Sequence, residues 1–307
     1  MALLLNPNQI PQDLIAQHDR FTAYSKRCIQ FEIQVALIPD QNKFEYQSAQ
    51  DLVRRVVEFE NSEPPEGHLY FHGISDLEYE ACQIKIRASH RLGSTLRFTF
   101  ENSLDAAILN VKRNNLDYNL ISVCFTNQLA HKIDSIPGSI ADPVSGCGAA
   151  LFTVPRVRSK QGDQCLRPYT RRGMLGWPSV MVEIGNAEGM DFLRLDAEWW
   201  LMHSDKKIRF VILVKLEKDP FAIRLECWMM VETGRRQTRL TPALIPRCVQ
   251  DFDIDEVGDV KSTLGSTKLE VPYSCIFDEV PNPLPPAATL STPELSEFAL
   301  RMFEQIG

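Results

Sequence analysis

The sequence has no CxxC motif and no cluster of Cys and His residues. Its eight cysteines are scattered, and the closest pair, Cys147 and Cys165, lies 18 residues apart. This distribution argues against a structural zinc site and against a disulfide framework. We therefore predict reduced and mostly buried thiols.

Long apolar runs are also lacking. No stretch approaches the roughly 20 apolar residues that a membrane-spanning helix needs, and the apolar run at residues 3–5 is too short for a secretory signal. We expect an intracellular protein, cytoplasmic or nuclear, without a membrane partner. The Gly-rich segment 138–148 lacks the Lys and the spacing of a phosphate-binding loop. No internal repeat occurs, and nothing in the sequence indicates a Ser/His/Asp or Cys/His triad.

The composition is that of a folded globular protein, with 44% hydrophobic and 24% charged residues. The net charge of −7 is concentrated beyond residue 240, where 11 acidic residues stand against four basic ones. The preceding residues are neutral overall. An acidic total therefore does not exclude a nucleic-acid substrate for the body of the protein.

Patterns of apolar residues suggest three regions. These are an N-terminal strand and helix region (1–66), a core domain (67–240) and an acidic, Pro-rich tail (241–307) that ends in an amphipathic helix. Within the tail, Ser291 and Glu294 form a capping box for a helix over 293–306, whose apolar stripe is expected to dock on the body or on a partner protein.

Apolar periodicity predicts the elements of the first two regions. The predicted helices are one opened by Ser48, one over 76–90, one with Leu104, Ile108 and Val111 on its face, and one over 188–203. The predicted strands are 31–38, 96–100, 120–125, 151–157, 180–184, 210–216 and 223–228. The last two strands should form a hairpin, and strand 180–184, helix 188–203 and strand 210–216 a βαβ unit.

Two carboxylates are the leading candidates for chemistry. Glu183 interrupts the apolar strand 180–184, and a buried charge is costly unless it is paired or binds a cation. Asp163 lies 20 residues upstream. Two acids at strand ends are what a magnesium-dependent phosphodiester site requires. The alternative is that Glu183 is a strand-end residue that reaches solvent or an Arg.

A basic segment surrounds Asp163. Arg156, Arg158 and Lys160 alternate, so in an extended chain they point to one face, and Arg167 follows. Such a patch would attract phosphates. The alternative is a solvated loop with ordinary surface charge.

These residues lie in a stretch that resembles the PD-(D/E)XK nuclease-like superfamily. Asp163 is followed by LRP at 166–168, WPSVMVEIG at 177–185 and LRLDAEWWL at 193–201, an order similar to that of an uncharacterised branch associated with fungi. The resemblance covers about residues 150–230. It implies an α/β (α+β) fold, with a restriction-endonuclease-like mixed sheet flanked by helices. It also implies Mg²⁺ or Mn²⁺ held by Asp163 and Glu183, with DNA or RNA as the substrate.

The sequence departs from the superfamily at one position. The pattern has a Lys two residues after the second acid, where this chain has Gly185. Arg194, in the following helix, is the candidate for the missing positive charge, and Asp196 is either a further ligand or a partner for a nearby Arg. Trp200 is predicted to be a core residue and Trp199 a shoulder residue. A metal-dependent nuclease with an altered site and a non-catalytic module that binds nucleic acid or protein both remain open.

Overall fold

The computed structural model describes residues 23–62, 67–88, 94–113, 116–137, 143–154, 158–171, 176–185, 189–236 and 242–307. The chain divides into two compact units, and neither is one continuous stretch of sequence. The first comprises residues 1–114, 151–161 and 187–195, and the second comprises 115–150, 162–186 and 196–307.

The predicted mixed α/β class is confirmed. In chain order, the helices over the described residues are α1 Ala23–Leu37, α2 Ala49–Glu60, α3 Asp76–Ala88, α4 Leu116–Asp134, α5 Met190–His203, α6 Tyr273–Ile276 and α7 Thr292–Ile306. The strands are β1 Lys43–Glu45, β2 Gly67–His72, β3 Ser94–Glu101, β4 Ala106–Arg113, β5 Val144–Gly146, β6 Leu151–Val154, β7 Arg158–Gln161, β8 Gln164–Pro168, β9 Val180–Gly185, β10 Phe210–Lys218, β11 Phe221–Arg236, β12 Pro242–Asp255, β13 Val260–Lys261, β14 Lys268–Val271 and β15 Ala288–Ser291.

The first unit is built on a six-stranded sheet in the order β1-β2-β4-β3-β7-β6. Strands β1 and β2 are parallel, and the other pairs are antiparallel. Leu52 and Val56 of α2 and Tyr79 of α3 pack with Phe71 and Phe100 of the sheet to form its main core. Ser48 caps α2 by accepting a hydrogen bond from the Asp51 N–H at 3.1 Å, as the sequence predicts.

Three secondary-structure predictions are wrong. The predicted strand 31–38 lies mainly in helix α1, and the predicted strand 120–125 lies wholly in helix α4. The helix predicted around residues 104–111 is largely strand β4. Short apolar runs do not separate a buried helix from a buried strand. For α4 a longer window carries the correct signal, because Ile121, Phe125, Leu129 and Ile133 are buried at a spacing of four.

The second unit is built on a seven-stranded sheet in the order β13-β12-β11-β10-β9-β8-β5. Strands β9 and β10 are parallel, which confirms the βαβ unit with α5 in the connection, and β10 and β11 form the predicted hairpin. All six residues of β9 are buried. Val180, Val182 and Ile184 face a core to which α4 and α7 contribute, so Met181 and Glu183 face the opposite side of the sheet.

Residues 242–307 belong to this second unit. Strand β12 pairs with β11 along most of its length. Helix α7 has the predicted capping box, and its apolar stripe is buried against α4, where Phe298 lies 5.5 Å from Phe125 between ring centroids. Lys132 and Glu294 add an ion pair between the two helices. The predicted docking of the last helix on the body is therefore confirmed.

Candidate functional site

Asp163 and Glu183 lie side by side where β8 begins next to β9. Gln164 pairs with Val182 in the antiparallel ladder, so the next position places Asp163 opposite Glu183. The backbone N–H of Asp163 donates to Glu183 Oε2 at 3.3 Å, and the backbone N–H of Ile184 donates to Asp163 Oδ2 at 2.8 Å. Folding thus brings together two acids that are 20 residues apart in sequence.

Both carboxylates are buried, with Asp163 1% and Glu183 3% exposed. A buried charge is tolerated only with hydrogen bonds or a counter-charge. The N–H of Ile184 lies beyond the last ladder pair between β8 and β9, and Asp163 accepts its hydrogen bond. Asp163 therefore also has a structural role, since it completes the hydrogen bonding at this end of the ladder.

A third donor comes from α5. The indole N–H of Trp200 donates to Glu183 Oε1 at 2.5 Å. Trp200 is fully buried, and its ring makes edge contacts with Trp177 at 6.4 Å and Trp199 at 4.8 Å between centroids. The sequence predicts Trp200 as core but does not indicate this bond. The bond could have been predicted from the burial of both residues, because a buried indole N–H needs an acceptor and a buried carboxylate needs a donor.

Trp199 is fully buried as well, so its assignment as a shoulder residue is wrong. The prediction assumes one buried face on α5. In the structure, Leu193, Leu195 and Ala197 are also buried, and these positions are spread around the helix axis. More than one face of α5 is therefore buried, and Trp199 lies within the buried part.

Gly162 allows the chain to pass close to the side chains of Met181 and Trp200. A Cβ atom at this position would lie 2.7 Å from Met181 Sδ and 3.3 Å from Trp200 Cζ2. Both distances are shorter than ordinary van der Waals contacts. The glycine therefore serves close packing beside Asp163.

The sheet register places Lys215 next to Gly185. Leu213 pairs with Glu183, and Lys215 pairs with Gly185 two residues further along the parallel ladder. Paired residues and residues two apart share a face of the sheet. Lys215 is therefore on the same face as Glu183, one strand away. Sequence reasoning missed it, although Lys215 interrupts an apolar strand just as Glu183 does.

The predicted basic residues have other partners in the structure. Arg158 is 1% exposed and forms an ion pair with Glu101 at 2.8 Å, and Lys160 is also buried. Arg167, which follows Asp163 in β8, donates to the Gly176 carbonyl at 3.3 Å. Arg156 lies outside the described residues. A buried guanidinium that is paired with a carboxylate is held in place rather than presented to a solvent phosphate.

Arg194 pairs with Asp191 at 3.2 Å. It lies in the segment of α5 that belongs to the first unit, whereas Asp163 and Glu183 belong to the second. Around the helix axis Arg194 projects about 120° away from Trp200. Asp196 lies one turn before Trp200 on the same side of the helix.

Glu198 is a further buried acid on α5. Burial raises the pKa of its carboxyl group to about 7, because removal from water disfavours the charged form. It projects about 160° away from Trp200 around the helix axis. Glu198 is therefore separate from the Asp163 and Glu183 pair, and it offers a second, independent titrating group.

No protein-family model matches the chain, and comparison with curated proteins finds no match. Among the residues that the structure describes, no set of three or more His, Cys, Asp or Glu side chains is arranged to hold a metal ion. Within the same residues, no helix is both long and apolar enough to cross a membrane. The geometry of Asp163, Glu183, Trp200 and Lys215 is thus the basis for a functional assignment.

Proposed function

We propose that the protein is a metal-dependent phosphodiesterase that acts on DNA or RNA, with a site altered from the PD-(D/E)XK pattern at Gly185. One observation carries the proposal: Asp163 and Glu183 are buried together and linked by hydrogen bonds from Asp163 and Ile184 N–H groups. Two buried acids side by side repel each other unless a cation or a shared proton offsets their charge. A divalent cation is one way to satisfy that requirement.

The two acids fit Mg²⁺ or Mn²⁺. These ions prefer carboxylate oxygens and commonly use only one or two protein carboxylates, with water and substrate phosphate oxygens completing the shell. The absence of a larger cluster in the described residues does not conflict with this mode of binding. When bound, such an ion polarises a phosphoryl oxygen and lowers the pKa of a bound water molecule.

The neighbouring side chains have distinct roles in this proposal. The indole N–H of Trp200 fixes the orientation of Glu183 through Oε1, as outer hydrogen bonds do for metal-binding carboxylates. Lys215, on the same face of the sheet beside Gly185, supplies the positive charge that stabilises negative charge developing on the phosphate. This proposal replaces Arg194 with Lys215 as the cationic residue.

The second candidate function is a non-catalytic module that binds nucleic acid or protein. A specific observation favours it: Asp163 Oδ2 accepts the Ile184 N–H at 2.8 Å, so this acid has a structural role that does not depend on a metal ion. A side chain kept for that role would persist after catalysis was lost. Gly185 in place of the Lys points in the same direction.

Cleavage assays with single-stranded and double-stranded DNA and RNA in Mg²⁺ or Mn²⁺ test the enzyme directly. We expect metal-dependent cleavage that Asp163→Asn and Glu183→Gln reduce by at least about 100-fold, because each removes a charged ligand of the ion and loss of even an outer hydrogen-bond partner costs about 10–100-fold. Lys215→Met should reduce cleavage by a similar factor. It should leave Mn²⁺ binding intact in a calorimetric titration.

Glu294→Gln is the matched control. Glu294 also accepts hydrogen bonds from a cation and from Ser291, but it lies on α7, which packs against the opposite face of the sheet. Its replacement should leave cleavage unchanged. If the wild-type protein binds polynucleotide without cutting it, the non-catalytic binding module is the correct interpretation. The same holds if cleavage is unchanged after Asp163→Asn.

A further inference from the structure

Cys147 and Cys165 face each other across two strands of the second unit. Gly146 of β5 pairs with Leu166 of β8, so the next position in this antiparallel ladder places Cys147 directly opposite Cys165. The backbone N–H of Cys147 donates to the Cys165 carbonyl at 2.9 Å. Directly opposed residues of antiparallel strands have Cα atoms about 4.5–5.5 Å apart, which lies within the range that a disulfide spans.

Both cysteines are free thiols in the structure. The Cys147 thiol donates to the Ser145 carbonyl and the Cys165 thiol to the Gly148 carbonyl, each at 3.7 Å. The neighbouring Cys165 and the positive charge of Arg167 lower the pKa of Cys147, whereas the neighbouring Cys147 and burial raise the pKa of Cys165. Since the thiolate is the reactive form, these opposite shifts agree with Cys147 as the first thiol to react.

Exposure distinguishes the two residues. Cys147 is partly exposed, whereas Cys165 is fully buried. An oxidant in solution therefore reaches Cys147 first, and Cys165 is the nearest thiol to resolve the product. This combination of an accessible thiol and an adjacent buried thiol is characteristic of redox-sensing pairs.

We propose that Cys147 and Cys165 form a reversible redox site that hydroperoxides convert to an intramolecular disulfide. The Cys147 sulfur attacks one peroxide oxygen, the O–O bond breaks, and Cys147 becomes a sulfenic acid while the second oxygen leaves as hydroxide or water. The Cys165 sulfur then displaces the hydroxyl group from Cys147, and the S–S bond forms with release of water. In total, two thiols are oxidised and one hydrogen peroxide is reduced to two water molecules.

The cross-link would tie β5 to β8 only two residues from Asp163. The inference does not depend on the proposed phosphodiesterase activity, because it concerns only the thiols. It also revises the expectation that all cysteines stay reduced.

Peptide mapping of the full-length protein tests the proposal. Trypsin separates Cys147 in a peptide of residues 133–156 from Cys165 in a peptide of residues 161–171, and each peptide has a single cysteine. After a few equivalents of hydrogen peroxide and alkylation of the remaining thiols in denaturant, we expect the two peptides to be linked. Two of the eight thiols should be lost, and dithiothreitol should restore them.

Cys147→Ser and Cys124→Ser form a matched pair of variants, since both replace a partly buried cysteine. Cys147→Ser should leave Cys165 alkylated in full after peroxide treatment, whereas Cys124→Ser should form the link as the wild type does. The proposal is overturned if Cys147 accumulates as a sulfinic or sulfonic acid without the link. Linkage of either cysteine to a different partner would overturn it too.

Discussion

Trp200→Phe is the substitution that tests the candidate site most directly. It removes the indole N–H that donates to Glu183 Oε1 at 2.5 Å and retains an aromatic ring in the core. Glu183 is 3% exposed, so water cannot readily replace the lost donor. Loss of one hydrogen bond to a buried acceptor therefore destabilises the folded state.

The expected loss of stability has two parts. Removing a hydrogen bond to a buried charged group costs about 1.5–3 kcal/mol. The smaller ring leaves a void beside Gly162 and Met181, which adds about 1 kcal/mol. The sum is about 2.5–4 kcal/mol, a large part of the free energy of unfolding of an ordinary domain.

Trp228→Phe provides the comparison. Trp228 is 1% exposed, and its indole N–H donates to Glu226 at 2.9 Å, but Glu226 is only partly buried. Solvent can hydrate that carboxylate after the substitution, so the cost should be smaller by about 1–3 kcal/mol. Urea unfolding followed by fluorescence and circular dichroism gives the two midpoints. Equal losses for the two variants would refute the argument, as would a smaller loss for Trp200→Phe.

Three further substitutions test the described contacts. Glu198 keeps its proton up to a pH of about 7, whereas the unfolded chain releases it near 4.5. The native state therefore binds more protons in that window, and its stability falls as pH rises through it. Thermal unfolding should show Glu198→Gln more stable than wild type by up to about 3 kcal/mol at pH 8 and similar to it at pH 4. Glu101→Gln should destabilise the protein by about 3–5 kcal/mol, because it leaves the buried Arg158 without its counter-charge; a chemical unfolding midpoint that does not move would contradict this. Gly162→Ala should cost about 1–3 kcal/mol through its clash with Met181, and a crystal structure showing no shift of that side chain would exclude this cause.

The segment from β9 to β11 is the part that the sequence predicts well. Strands β9 to β11 follow from short apolar strand patterns, helix α5 follows from its amphipathic pattern, and the capping box defines the start of α7. The errors at α1, α4 and β4 arise where a short apolar window fits two periodicities. Only the packing of the surrounding elements decides between them.

The candidate site is predicted in part. A sequence shows that Glu183 is an acid within a buried strand, and the resemblance pairs it with Asp163. The contributions of Trp200 and Lys215 depend on which residues of neighbouring elements face each other, and that register is set by the assembled sheet. Local pattern contains no information on it.

The interleaving of the two units has a consequence for protein synthesis. Each unit is assembled from three segments that alternate along the chain with those of the other unit, and the core of the second unit includes Phe298 and Met302 of α7. A ribosome must therefore deliver residues 292–306 before this core can close. A premature stop codon near residue 240 would remove the partner strand of β11 as well as that helix, so its product should aggregate or be degraded.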